Sequence, residues 1–207
     1  LFIVKIHTVI LAAGEGSRML SSKAKSLQPV GGHSMLKRIY QTIEDITDEI
    51  TFVVGYEKDS IIKETNLFKG KVNFSEQIKA IGTADAVKSS LSKIAADSKV
   101  LVLYGDVPLI QKNTLKDLIS MTDKNLTILA TKMDNPTGYG RVKKDIHGMA
   151  QAIVEEKDAS KNEKQIKEIF TGILCCNKNL LEEAINEVDN NNAVKEYYLT
   201  DIVSIIN

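Results

Sequence analysis

The sequence predicts an α/β fold of the doubly wound kind: a mostly parallel sheet, helices on both faces and a small β-rich annex. Three observations predict it. Runs of Ile, Val and Leu without polar alternation recur, as strands buried on both faces require. Stretches with helical periodicity separate these runs, in the strand–helix order of βαβ units. The second half is less regular, with turn residues and two strand-like segments around a polar excursion, which suits an annex over the sheet.

The elements follow in order. Residues 4–12 form a buried strand that runs into "AAGEGSRM". Residues 35–46 place Leu36, Ile39, Tyr40, Ile43 and Ile46 on one helical stripe, with Ser34 as N-cap. Residues 50–56 are a second buried strand and 71–77 a short one. Residues 84–96 carry Val87, Leu91 and Ile94 at helical spacing, with Thr83 as the expected N-cap. Residues 100–106 are a third apolar strand, 114–121 a helix and 126–131 a strand. "DNPTGYGRV", residues 134–142, is a turn cluster. The stretch "QAIVEEKDASKNEKQIKEIFTGILCCN" reads as strand, polar excursion and strand, and 179–188 and 198–206 read as helices. No linker, repeat or low-complexity tract divides the 207 residues, so one domain is expected.

Bulk composition excludes some classes. Lys plus Arg is 27 and Asp plus Glu is 27, so there is no basic excess to hold a nucleic acid. No apolar run approaches the ~20 residues of a membrane span. The opening "LFIVKIHTVILAAG" is broken by Lys5 and His7 and has no basic leader or small-residue cleavage site, so it is not a signal peptide. Cys175 and Cys176 are neighbours on a strand and point to opposite faces, which disfavours a mutual disulfide and suits reduced thiols in a cytoplasmic protein. His7, His33 and His147 are scattered and receive no role. The chain lacks an initiator Met and stops in a helical pattern, so it reads as an excerpt of a longer protein.

In an open parallel sheet, ligands bind outside the carboxyl ends of the strands. The first loop lies there. Gly14 and Gly16 allow close backbone approach, and successive free amides in such a loop form an anion nest. Arg18 adds a planar cation suited to phosphate oxygens, and Lys23 and Lys25 follow within reach. Met19 stands where a dinucleotide fingerprint needs its third glycine, and no Gly-Lys-Ser/Thr follows, so neither common nucleotide loop is present. A plain turn and a phosphate loop both remain open on this evidence. Asp106, at the end of a buried strand on the same sheet edge, is placed to hold Mg²⁺ or to begin the turn at Pro108. Gln77 ends another strand there and can pair with a base edge, or simply with its own turn.

"LAAGEGSRM", "EQIKAIGTADAV", "LYGDVPLI", "NPTGYGRV", "IVEEKDAS", "TGIL" and "NNNAVKEYYLTDI" occur in this order. Together they resemble the uridylyltransferase domain of the bacterial N-acetylglucosamine-1-phosphate uridylyltransferases, over nearly the whole chain. The resemblance implies a Rossmann-like nucleotidyltransferase fold, with residues 1–110 binding the nucleotide and 111–207 the sugar. It implies a Mg²⁺-dependent reaction of UTP with N-acetylglucosamine 1-phosphate, giving UDP-N-acetylglucosamine and pyrophosphate for cell-wall precursors in the cytoplasm. By position, Leu11, Ala12, Ala13 and Gly14 would hold the nucleoside, and Gln77 would read the uracil with Gly82 and Thr83 beside it. Arg18 and Lys25 would contact the triphosphate and Asp106 the metal. Tyr104, Gly105, Gly140, Glu155, Tyr198 and Thr200 would line the sugar side.

Departures from the family pattern are specific. Phe170 stands where the family has an Asn that contacts the sugar, and Ala24 where it has Pro before the phosphate-binding Lys25. The family's second metal ligand lies past Asn207, and its acetyltransferase domain, through which it largely oligomerises, is absent. The alternatives are therefore a nucleotidylyltransferase for another sugar phosphate or base, and a non-catalytic nucleotide-sugar sensor.

Overall fold

The computed structural model of the protein describes residues 4–16, 21, 23–123 and 125–207. Its main sheet begins with four parallel strands. β1 (Ile6–Leu11) lies between β4 (Glu49–Val54) and β6 (Lys99–Tyr104), and β5 (Lys71–Glu76) flanks β4. The chain thus leaves β1 toward β4 on one side, whereas β6 returns on the other. The loops after β1 and β6 diverge, which is the topological switch point where open α/β sheets bind ligands.

The second half continues this sheet in antiparallel fashion. β10 (Glu168–Asn177) pairs with β6 through Leu174–Asn177 and with β7 (Thr127–Lys132). At Ile169 it also pairs with β8 (Arg141–Lys144), and β8 pairs with β9 (Ala150–Val154). A hairpin of β2 (Pro29–Val30) and β3 (His33–Ser34) stands apart as a second, two-stranded sheet. Its turn residues, Gly31 and Gly32, both have positive φ (55° and 84°), as a type I′ hairpin requires.

Helices cover both faces because strand side chains alternate. Val9, Val53, Val102, Leu174 and Cys176 pack on one face with α3 (Thr83–Ser90), α5 (Lys178–Glu187) and α6 (Ile202–Ile206). Ile10, Phe52, Leu103, Ile173 and Cys175 pack on the other with α1 (Met35–Ile43), α2 (Lys58–Thr65) and α4 (Lys112–Met121). The adjacent cysteines belong to opposite cores, and both are free thiols.

Local chemistry sets the boundaries. Ser34 caps α1, its hydroxyl accepting from the Lys37 amide at 3.0 Å. Thr83 does not cap α3: the capping position is Gly82, and the Thr83 hydroxyl accepts from the Leu199 amide instead. α3 stops at Ser90, short of the expected residue 96, and passes into a 3₁₀ turn at Leu91–Lys93. The Ser89 and Ser90 hydroxyls donate back to the carbonyls of Ala86 and Val87, the competition that weakens serine inside helices. α2 is missing from the periodicity reading because its buried stripe is only Ile61 and Thr65. β8 begins inside the expected turn cluster, and the last helix is split into a 3₁₀ turn (Leu199–Asp201) and α6.

Both thiols are fully buried, and burial pushes Cys175 up and Cys176 up to about 12. Since the thiolate is the reactive form, neither cysteine should react with a thiol reagent at pH 8 in the native protein. Both should react only at the rate of unfolding. Rapid native labelling of either one would contradict the packing.

Candidate active site

A cleft of about 590 Å³ opens at the switch point. Its floor is backbone. Gly105 donates its amide to the Leu11 carbonyl at 2.9 Å, and Ala12 donates to the Val53 carbonyl at 2.9 Å. The Tyr56 amide donates to the Ala13 carbonyl at 3.2 Å. The loop after β1 is therefore tied to the ends of β6 and β4, and Leu11, Ala12, Ala13, Gly14 and Gly16 line the cleft. Gly16 has φ +69°, and a Cβ there would lie 2.6 Å from Lys25 Cβ. Only glycine lets that loop close over Lys25.

The charged pair of the cleft is Lys25 with Asp106. Lys25 Nζ donates to Asp106 Oδ2, and both side chains remain partly exposed toward the cleft. Lys23 is exposed and does not line it. Arg18, expected at the triphosphate, lies outside the described residues. Ser26 follows Lys25 in a 3₁₀ turn and also lines the cleft, as do Ala80, Ala86 and Glu196. None of these four is a sequence-predicted site residue: Ala80, Ala86 and Glu196 fall inside the motifs above, but small residues carry no chemical signal there.

Gln77 follows the end of β5 and lines the cleft. Its amide Nε2 donates to the Gly82 carbonyl at 2.9 Å and to Asp85 Oδ2 at 3.0 Å. Both amide hydrogens are thus engaged within the loop, and the group left for a ligand is the carbonyl oxygen. Gly82 (φ +135°) has the Tyr197 backbone against it: a Cβ would lie 2.2 Å from Tyr197 O. The Tyr197 amide donates to the Ile81 carbonyl at 2.8 Å, and its carbonyl accepts from Ala84 at 2.9 Å. This strap carries Tyr198 and Thr200 to the edge of the loop between β5 and α3.

The expected sugar-side residues divide. Tyr104 and Gly105 line the cleft itself. The Tyr104 ring rests on Gly172, where a Cβ would approach it to 2.8 Å, and its hydroxyl is bonded to Thr83. Gly140, Glu155, Tyr198 and Thr200 are not among the residues lining the cleft; Gly140, Glu155 and Thr200 form a separate wall, and the Tyr198 hydroxyl is hydrogen-bonded to Asp158. Thr200 Oγ1 donates to Glu155 Oε1 at 3.0 Å, and a Cβ on Gly140 would lie 3.5 Å from each Glu155 carboxylate oxygen. Phe170 gives this wall only backbone. Its amide donates to the Gly140 carbonyl at 2.9 Å, and its side chain is buried in the core.

Burial and like charge dominate that wall. Burial holds Glu155 above the usual carboxylate range, only partly offset by the Thr200 bond. Burial, then Asp189, Glu155 and Asp158, lift Asp201 from 3.8 to about 6. Burial and Asp158 push the Tyr198 phenol up.

Residues 8–168 match the family described as the MobA-like NTP transferase domain. The chain belongs to that family. Among curated relatives, it is 43% identical over 202 residues to the bifunctional protein GlmU of Marinobacter nauticus, covering 97% of this chain and 44% of that protein. It is 42% identical over 200 residues to the GlmU of Neisseria meningitidis, covering 96% of this chain and 43% of that protein. The chain thus spans less than half the length of these relatives. Its fold is that of a solved UDP-glucose pyrophosphorylase complexed with UDP-glucose: TM-score 0.78, 16% identity, 98% of this chain and 86% of the other. HddC from Yersinia pseudotuberculosis shares it at TM-score 0.68 and 23% identity, over 94% and 83%. Among the described residues, no helix is long and apolar enough to cross a membrane.

The Asp201 shift has a sign. A carboxyl raised from 3.8 to about 6 keeps its proton longer in the folded chain. Its contribution is present below 3.8 and is lost as pH climbs through about 6, and Glu155 acts in the same direction. Asp201→Asn should therefore flatten the fall of Tm between about pH 4 and pH 6 and raise Tm at pH 8 by roughly a few degrees. Thermal melts across that range check it; identical profiles would remove Asp201 from the account.

Proposed function

We propose that this domain transfers a uridylyl group from UTP to N-acetylglucosamine 1-phosphate, releasing pyrophosphate. The observation that carries the reading is the Lys25–Asp106 pair at the mouth of a backbone-lined cleft between β1 and β6. The GlmU relatives and the motif resemblance supply the substrate class, and a structural neighbour solved with UDP-glucose shares the fold.

The reaction needs no protein nucleophile. A sugar-phosphate oxygen attacks the α-phosphorus in line as pyrophosphate departs. Catalysis then rests on holding the two ligands in register and neutralising charge on the transferring group. The loop at 11–14 and Gln77 hold the nucleoside, Lys25 and Arg18 the phosphates, and the Glu155–Thr200 wall the sugar.

The donor set of the cleft fits Mg²⁺. Asp106 offers a hard carboxylate at its edge. Among the described residues, no group of three His, Cys, Asp or Glu could enclose a metal ion by itself. That suits an ion held by one or two carboxylates and the substrate's own phosphates. Bound there, Mg²⁺ would supply Lewis-acid stabilisation of phosphoryl oxygens. Lys25 Nζ donates to Asp106 Oδ2, so the lysine and the carboxylate that would hold the ion stand side by side.

Phe170 favours a second reading, a different sugar 1-phosphate, since a phenyl ring cannot make the hydrogen bonds of an Asn. Pyrophosphate release across a panel of nucleoside triphosphates and sugar 1-phosphates decides between them. UTP with N-acetylglucosamine 1-phosphate should be the best pair; turnover only with another pair would overturn the substrate assignment. Tight binding of UDP-sugars without any release would point to a sensor.

Asp106→Asn should lower turnover on the order of 10²-fold or more. Its effect on stability should be within about 1 kcal/mol, because the ion pair it breaks is part-exposed. Steady-state rates and urea melts on the same preparations test both halves. A rate near the parent's would take Asp106 out of the site.

A further inference from the structure

Arg141 is the largest fully buried side chain among the described residues, 1% exposed. A guanidinium keeps its charge in proteins, so burial demands partners. Nη1 donates to the Tyr139 carbonyl, and Nη2 donates to Glu156 Oε2 at 2.6 Å. Nε has no partner. The same Glu156 Oε2 accepts the Gly138 amide at 3.1 Å. One carboxylate thus gathers the glycine turn before β8 onto the residues just after β9.

As a source of stability this is a poor arrangement. Arg141 is buried while Glu156 keeps 27% of its side chain exposed; a buried guanidinium repays its desolvation only when all its groups are satisfied, and an apolar side chain of similar volume often serves the fold as well or better. What the pair does achieve is placement. Gly140 lies between the two residues the clamp holds, Tyr139 and Arg141. It is wedged with its carbonyl on the Phe170 amide and against Ile153, whose Cγ2 lies 2.8 Å from where a Cβ would be, with the Glu155 carboxylate oxygens next to it at 3.5 Å. Glu156 faces the guanidinium while its neighbour Glu155 faces Thr200.

We propose that Arg141 is the positioning residue of the sugar side: through Tyr139 and Glu156 it fixes Gly140 against Glu155, so that the two meet the sugar of the incoming sugar phosphate in one geometry. The proposal rests on Gly140 and Glu155 being sugar-side groups. Arg141 itself, being buried, touches no ligand.

The test uses Arg141→Met, Arg141→Lys and Glu156→Gln in the full chain. Pyrophosphate release is measured with each substrate varied in turn, and amide hydrogen exchange is followed over residues 137–141 and 155–159. In Arg141→Met, KM for the sugar phosphate should rise tenfold or more, with KM for the nucleotide within about twofold, and the Gly138 amide should exchange faster. Arg141→Lys should recover part of the loss, since an ammonium cannot hold both partners as a fork does. An unchanged KM for the sugar phosphate in folded Arg141→Met, or equal rises in both KM values, would overturn the proposal. If Arg141→Met does not fold, Glu156→Gln must show the same split. If the parent turns over another sugar phosphate, the substrate reading falls and the split is measured with that substrate. If it turns over none, exchange decides: unchanged protection at Gly138 removes the clamp.

Discussion

The site depends on one hydrogen bond between two parallel strands at the point where their continuations part. Gly105 donates its amide to Leu11 O at 2.9 Å, and a Cβ on Gly105 would sit 3.0 Å from that oxygen and 3.1 Å from Ser26 Cβ. The end of β6 can lie this close to the end of β1 because residue 105 has no side chain. Once it does, Asp106 follows immediately and faces Lys25, which the glycine loop delivers from the other direction. On the far side, Ala12 and Ala13 are pinned to the end of β4. The backbone floor of the cleft is a consequence of strand order, and the two charged groups at its mouth are a consequence of that floor.

Charge then divides the cleft from its neighbouring wall. Lys25 stands in the cleft, paired with Asp106. Glu155, Asp158, Asp189 and Asp201 influence one another at the opposite end, where burial and mutual repulsion keep Glu155 and Asp201 reluctant to ionise. A ligand that is anionic at one end and a neutral polyol at the other has one favourable orientation in such a field. Carboxylates also accept hydrogen bonds from hydroxyls while repelling phosphate. The polarity of the site is therefore set by where acids and bases sit along the chain, before any individual contact is considered.

Much of this was legible in the sequence because it is local. Buried strands announce themselves as Ile, Val and Leu runs, and the two faces of β10 could be told apart from "CC" alone. The β1 loop, Gln77, Gly82, Thr83 and Asp106 sit at strand ends or helix starts, so order along the chain places them at one sheet edge. What was not legible is non-local. Nothing in the stretch 58–65 marks α2, whose buried stripe is two residues wide. Thr83 looks like a helix cap until Leu199, 116 residues away, claims its hydroxyl. Phe170 stands by position where the family has a sugar-contacting Asn. Its side chain packs in the core, because in a two-faced strand the side chain goes where the neighbouring helices leave an apolar space.

Gly82 shows why the first and second halves of the chain are not separable modules. Its φ of +135° and the Tyr197 oxygen 2.2 Å from where a Cβ would be exclude every other residue. That exclusion comes from the strap at 197–199, which crosses back from the second half and bonds to Ile81, Thr83 and Ala84. Thr83 is shared in the same way, with its hydroxyl bonded both to the strap and to Tyr104 at the centre of the cleft. The loop that follows Gln77 is thus shaped by the segment that carries Tyr198 and Thr200. A displacement of either shifts the other, since the bonds between them are mostly backbone and have no rotamer freedom to absorb it. The glycine at 82 is demanded first by the protein's own strap at 197–199.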